Sequence, residues 1–117
     1  RIFASEVGAG VQQQFYELRE ESNRAIATIN ELKERGMFKE VQTYRANNEG
    51  LIETRPQVLA IDRYMKRYRD RRDAIKRDET ISDEVKKELL KQLDLSRNAR
   101  LSKVPYLRTK IETFINQ

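Results

Sequence analysis

A short polar turn between two long, highly charged stretches, at residues 75–87, constrains the fold of this chain more than any other feature. One helical pattern ends at residues 75–77, and a second begins directly after Ser82. The Ser82 hydroxyl can cap the free backbone N–H groups of a first helical turn, and Asp83 and Glu84 complement the positive end of the helix dipole. Helices joined by so short a turn pack as antiparallel neighbours. The segment therefore predicts a helical hairpin.

The composition favours helices along the whole chain. The 117 residues include four glycines and two prolines, whereas 37% of the residues are charged and 38% are apolar. We predict an all-α fold of three to five amphipathic helices, arranged as an elongated antiparallel bundle or as helical hairpins. The chain begins at Arg1 and not at Met, which we interpret as a segment of a longer polypeptide.

Apolar residues at steps of three and four indicate which face of each helix is buried. The predicted stripe of the first helix is Val11, Phe15, Leu18, Ser22, Ala25, Ile29 and Leu32, and Gly36 is expected to end that helix in a left-handed conformation. The stripe before the polar turn is Val58, Ile61, Met65, Tyr68, Arg72 and Ile75. After the turn, the stripe is Val85, Leu89, Leu93 and Ser96.

Four segments are predicted from these patterns. Residues 1–10 are expected to form a flexible lead-in, residues 11–55 a first helical hairpin and residues 56–104 a second, basic hairpin. Residues 105–117 are expected to form a short terminal helix or a tail. Pro56 and Pro105 mark two of the boundaries, because proline is tolerated at the beginning of a helix but not in its interior.

The residue types that most catalytic sites require are missing. The sequence contains no His and no Cys, which excludes the usual zinc sites and the Ser–His and Cys–His nucleophile pairs. It also lacks the glycine-rich phosphate loops of nucleotide-binding proteins. Paired carboxylates such as Glu20–Glu21 lie where a helix surface favours negative charge. We therefore predict a non-enzymatic chain with no catalytic residue, no metal, no cofactor and no small-molecule substrate.

Positive charge is concentrated in the second half of the chain. Residues 1–55 hold 8 Lys and Arg against 9 Asp and Glu, whereas residues 56–117 hold 16 against 10. Double-stranded DNA is a candidate ligand, and its candidate contacts lie within one predicted helix: Arg63, Lys66, Arg67, Arg69, Arg71, Arg72, Lys76 and Arg77. The alternative is a solvated helix surface on which Asp62, Asp70 and Asp73 pair with these basic residues. Because the basic residues surround the helix, the pattern favours this alternative.

Apolar and aromatic side chains form a second candidate site, for contacts with other protein chains. The candidates are Phe15, Tyr44, Tyr68, Leu89, Phe114 and Ile115. The expected partners are other copies of the chain or neighbouring proteins of an assembly. The alternative, and the more frequent use of such stripes, is a core within the chain. Membrane contact is not expected, because no apolar stretch is long enough to cross a bilayer.

Four short stretches carry a resemblance to a known group of proteins. They are Glu-Arg-Gly at residues 34–36, Phe-Lys-Glu-Val at 38–41, Arg-Arg-Asp-Ala-Ile at 71–75, and the turn with its following helix at 81–90. Residues 36–104 resemble a helical region of large phage internal virion proteins, the core or ejection proteins of short-tailed phages, and of related large polyvalent proteins. Their pattern has a leucine where this chain has Ile81. The resemblance assigns no catalytic or ligand residue.

The resemblance implies a structural role and a location. It implies a segment that is packed in the virion interior, leaves with the genome, and helps to build a conduit across the host envelope. Its partners would be other copies or other core proteins. Outside that resemblance we expect a cytoplasmic protein, with a nucleic-acid-binding helical module as the alternative function.

Overall fold

The computed structural model describes the backbone of residues 2–115 and the side chains of residues 10–113. Its helices are α1 (Ile2–Glu34), α2 (Phe38–Asn47), α3 (Glu49–Glu53), α4 (Arg55–Arg77), α5 (Asp83–Leu101) and α6 (Val104–Ile115). The described residues contain no strand, so the predicted all-α class is confirmed. The molecule is elongated, with principal extents of 60 × 29 × 16 Å, as expected for a bundle of hairpins.

Two helix ends follow the local sequence closely. At the end of α1, Gly36 adopts a φ of 72°, which a residue with a side chain rarely does. The Gly36 N–H donates to the Lys33 carbonyl at 3.0 Å, and the Met37 N–H donates to the Leu32 carbonyl at 2.9 Å, which completes a Schellman cap. At the start of α5, the Ser82 hydroxyl accepts a hydrogen bond from the Val85 N–H at 3.2 Å. Both predicted caps are therefore present.

The central element is α1, which packs against each of the other five helices. Its predicted stripe is buried from Val11 to Ile29, and Leu32 is half-buried. The main core joins residues of four helices: Val11, Phe15 and Leu18 of α1, Val58, Ile61, Met65 and Tyr68 of α4, Leu101 of α5, and Val104, Leu107 and Ile111 of α6. The two predicted hairpins therefore share one core. A chain with so few apolar residues buries more of them in one core than in two.

Several boundaries differ from the predicted ones. The helix expected from Val11 begins at Ile2, so the backbone of residues 2–10 is helical and not a separate lead-in. No proline interrupts these residues, and a helix extends readily once its first turn exists. Residues 38–53 form two helices that meet at Asn48. The last helix begins at Val104, with Pro105 in its first turn, where the missing N–H has no partner to lose.

Polar contacts fix α4 against α1. The Arg19 guanidinium donates to the Asp62 carboxylate at 2.7 Å. One turn further along α1, the Arg55 guanidinium donates to the Ser22 hydroxyl at 2.8 Å. Charge-assisted contacts of this kind set the axial position of one helix on another.

The last described helix, α6, belongs to the bundle and is not a tail. Its residues Val104, Leu107 and Ile111 are buried in the main core. On the α1 side, the Arg108 guanidinium donates two hydrogen bonds to the Glu21 carboxylate, at 2.9 and 2.6 Å, and so forms a bidentate ion pair. On the α3 side, a Cβ atom built on Gly50 would lie 2.8 Å from the Ile111 Cα atom. The backbone of α6 thus lies directly against Gly50.

The pair formed by Glu21 and Arg108 should make stability depend on pH. The hydrogen bond from Arg108 is the main reason that the pKa of Glu21 lies below its ordinary value of 4.5. A lowered folded-state pKa gives stability that is present above the ordinary value and is lost as the pH falls through the lowered one. We expect Glu21→Gln to unfold at a lower temperature than wild type at neutral pH, and the difference to shrink below about pH 4.5.

Thermal unfolding of both proteins across this pH range checks the expectation. Glu31→Gln is the matched control, because Glu31 pairs with Arg35 at 3.0 Å but both side chains are mostly exposed. The change that Glu31→Gln makes in the unfolding temperature should be small at every pH. A Glu21→Gln difference that does not change with pH would show that the pair contributes no proton-linked stability.

Candidate functional site between α4 and α5

The eight basic residues predicted as nucleic-acid contacts all lie on α4. Arg69 and Arg72 are half-buried and the other six are exposed. Among the described residues, carboxylates lie within ion-pair distance of two of the eight. Lys66 lies 3.7 Å from Asp62, and Arg72 lies 3.3 Å from Asp73.

The predicted salt-bridged surface forms only in part, since among the described residues Asp62 and Asp73 pair with basic residues of α4 and Asp70 does not. Asp62 makes its shorter contact with Arg19 of α1, at 2.7 Å, and not with a basic residue of α4. Asp70 makes no ion pair within the described part of the chain. The acidic residues of α4 therefore leave most of its positive charge uncompensated.

Two tyrosines of α4 each hold two guanidinium groups. The Arg100 guanidinium carbon lies 4.6 Å from the centre of the Tyr64 ring, and that of Arg67 lies 6.0 Å from it. Tyr68 has Arg97 at 5.1 Å and Arg72 at 5.7 Å. In each case one arginine belongs to α4 and the other to α5. These distances fall within the range of cation–π attraction, so the rings hold the guanidinium groups of both helices in place.

The tyrosine hydroxyls tie the same two helices together. Tyr64 donates to the Ser96 hydroxyl at 2.7 Å. Tyr68 donates to the Asp94 carboxylate at 2.7 Å and accepts from Arg97 at 3.1 Å. Burial is the largest cause that raises the pKa of Tyr68, and the hydrogen bond to Asp94 raises it further. Tyr68 therefore stays protonated and acts as a structural donor.

Two open cavities adjoin at this point. The first, of about 520 Å³, is called the α4–α5 groove, and its walls include Tyr64, Arg67, Tyr68, Arg71, Leu93 and Ser96. The second, of about 480 Å³, is called the α6 cavity, and its walls include Ala60, Ile61, Arg100, Lys103, Tyr106 and Leu107. The Arg100 guanidinium of the cavity lies over the Tyr64 ring of the groove, so the two cavities are neighbours.

The residues predicted to contact other protein chains differ in how far they are buried. Phe15 and Tyr68 are buried in the main core, so their prediction as assembly contacts is wrong: α1 and α4 use these faces to pack on each other. Tyr44 is half-buried on α2. Leu89 is exposed. The side chains of Phe114 and Ile115 lie outside the described residues.

The predicted inward stripe of α5 is correct only at Leu93, which packs against the main core. Val85 and Leu89 are 45% and 41% exposed, Ser96 is exposed, and Leu93 is half-buried. The inward side of α5 carries Leu90, Arg97 and Leu101. Arg97 is half-buried on this side, and its guanidinium donates to the Tyr68 hydroxyl at 3.1 Å. This rotation leaves an apolar strip, Val85 and Leu89, on the surface.

Three residues at or beside the two cavities were not predicted: Arg97, Arg100 and Tyr106. They lie outside the basic run of α4, and the prediction of nucleic-acid contacts rested on the charge density of that run. The signal that could have found two of them is the antiparallel pairing of α4 and α5 about the turn near residue 80. That pairing places the tyrosines at 64 and 68 opposite residues 92–100, where Arg97 and Arg100 lie three apart on one face.

Other kinds of site find no support within the described residues. No group of three or more acidic, His or Cys side chains there could hold a metal ion. No described helix is both long enough and apolar enough to span a membrane. No family model, curated protein or solved structure matches this chain.

Proposed function

We propose that this chain is a non-enzymatic structural segment that packs with other protein chains in an assembly. The assembly would be the internal core or ejection apparatus of a phage, in which repeated copies build a conduit for the genome. The observation that carries the proposal is the exposed apolar strip of α5, Val85 and Leu89.

The geometry of the strip suits a helix from a second copy of the chain. Residues four apart lie on the same face of a helix, so Val85 and Leu89 form one continuous apolar patch. Covering such a patch stabilises an interface by about 25 cal/mol for each Å² removed from water. Two side chains contribute little binding free energy to one interface, but a closed ring of subunits repeats the same interface at every subunit. The elongated shape offers a long flank for such packing.

The sequence resemblance supplies the kind of assembly. It rests on the capped turns at Gly36 and Ser82, and both caps form in the structure. Capped helical hairpins recur in many unrelated proteins, so the exposed strip carries the proposal and the resemblance adds the phage context.

Replacing the strip by polar residues should weaken self-association. We expect Val85→Gln with Leu89→Gln to sediment as a smaller species than wild type at equal concentration, with unchanged helicity by circular dichroism. Glutamine preserves helix propensity, so folding should not be affected. Sedimentation velocity over a concentration series measures the change.

Leu95→Gln is the matched control. Leu95 is 49% exposed on the same helix, but its position places it on a different face of α5 from Val85 and Leu89. It should leave the association unchanged. A wild-type chain that stays monomeric at all concentrations would argue against assembly through other copies, and an equal loss in Leu95→Gln would remove the role of the strip.

A further inference from the structure

The α4–α5 groove and the α6 cavity together carry basic side chains and a mostly exposed aromatic ring, that of Tyr106. Within the described part of the chain, Arg67, Arg71 and Arg100 have no carboxylate within 4.0 Å. Asp70 also lines the groove, and Asp94 is already engaged by the Tyr68 hydroxyl. The surface therefore carries a local excess of positive charge that attracts an anion.

Contacts with an aromatic ring orient two of these arginines so that they can bind a phosphate. Tyr64 holds Arg67 and Arg100 from different helices on one ring. A guanidinium group that lies over an aromatic ring keeps the N–H donors at its edge free, and these donors match the oxygens of a phosphate. Because the ring restricts both side chains, less conformational entropy is lost when they bind.

The α6 cavity adds a surface suited to a base. Tyr106 lines this cavity and is 64% exposed, so its ring is accessible. Ala60, Ile61 and Leu107 supply apolar walls, and Lys103 lies at the rim. The Lys110 ammonium lies 5.6 Å from the centre of the Tyr106 ring. Stacking on exposed aromatic rings beside basic side chains is how proteins bind single strands without base-specific contacts.

The geometry points to single-stranded nucleic acid as the ligand of this combined surface. Arg67, Arg71 and Arg100 contact successive phosphates, and an unpaired base stacks on Tyr106. A duplex keeps its bases within the base stack, so it does not offer one to this ring. Of the eight α4 residues predicted to contact DNA, Arg67 and Arg71 line the groove. Arg63 lines a separate cavity beside Arg55 and Leu59. The inference does not depend on the proposed assembly role.

Fluorescence anisotropy with a labelled oligothymidylate tests the inference at low and at physiological salt. Arg67→Gln with Arg71→Gln should weaken binding and reduce the slope of log affinity against log salt by about 1.4, or about 0.7 for each phosphate that is no longer neutralised. Tyr106→Ala should weaken binding about fivefold or more, whereas Tyr106→Phe should bind like wild type because it keeps the stacking ring.

Lys39→Gln with Arg45→Gln is the charge-matched control. It also removes two exposed positive charges, but from α2. It should leave binding within about twofold of wild type if the groove is the site. The inference is overturned if wild type does not bind the oligothymidylate at low salt, or if the control weakens binding as much as the groove variant does. Tighter binding of a labelled duplex together with no effect of Tyr106→Ala would overturn the single-strand assignment.

Discussion

Replacing Phe15 by alanine should lower the free energy of unfolding by about 3–5 kcal/mol. Phe15 is fully buried in α1, in the core that joins α1 to α4, α5 and α6. Its removal would leave a cavity lined by side chains from several helices, which the bundle cannot close by moving one of them. Chemical denaturation followed by circular dichroism measures the loss.

Phe38→Ala is the matched control, because Phe38 is mostly exposed at the start of α2. Its unfolding free energy should stay within about 0.5 kcal/mol of wild type. The comparison also decides between two roles for Phe15. A variant that keeps its stability but loses self-association would restore Phe15 as an assembly contact and contradict its place in the core.

Gly50→Ala should destabilise the bundle by about 1–3 kcal/mol, although alanine is the better helix former. The new Cβ atom would lie 2.8 Å from the Ile111 Cα and 3.0 Å from the Ile111 carbonyl oxygen. Both atoms belong to the backbone of α6, so the steric clash can be relieved only if α3 and α6 move apart. That movement would also affect the nearby contact between Glu21 and Arg108. Thermal and chemical denaturation measure the change.

Gly10→Ala serves as the control for this substitution. Gly10 lies inside α1, and a Cβ atom built there meets nothing within 4 Å. It should therefore stabilise the protein by about 0.5–1 kcal/mol, through helix propensity alone. If Gly50→Ala proved equally stabilising, the close approach of α3 and α6 would be disproved.

Local sequence was enough to predict the helices and their caps. The stripe from Val11 to Ile29 faces the core because a spacing of three and four residues defines one side of a helix, whatever covers it. Gly36 and Ser82 end and begin their helices through contacts with residues within five positions. Features that depend on neighbours in the sequence could be predicted from the sequence.

Features that depend on distant residues could not be predicted in this way. On α5, Arg97 takes an inward position in which its guanidinium donates to the Tyr68 hydroxyl, and a search for apolar spacing overlooks such a charged side chain. Helix propensity alone makes Gly50 a weak point in a helix, whereas its real constraint is the backbone of α6. The place of α6 in the core follows from packing against α1 and α3, which no local pattern encodes.

The candidate site shows the same division. All eight basic residues predicted from charge density lie on α4, and six of them are exposed. The groove forms where Leu93 and Ser96 of α5 lie against the two tyrosines of α4, and the cavity beside it is lined by Arg100 of α5 and Tyr106 of α6. A single helix could not reveal a surface that three helices build together.

The contact between Glu21 and Arg108 joins positions 87 residues apart, and this has a consequence for synthesis on the ribosome. The apolar face of α1 emerges early, yet the helix that closes over part of it is translated last among the described helices. During that interval Phe15 and Leu18 have an incomplete set of partners. Exposed apolar surface on a nascent chain is what chaperones recognise and what aggregation exploits. Because of the order of the helices along the chain, the core can be completed only late in synthesis.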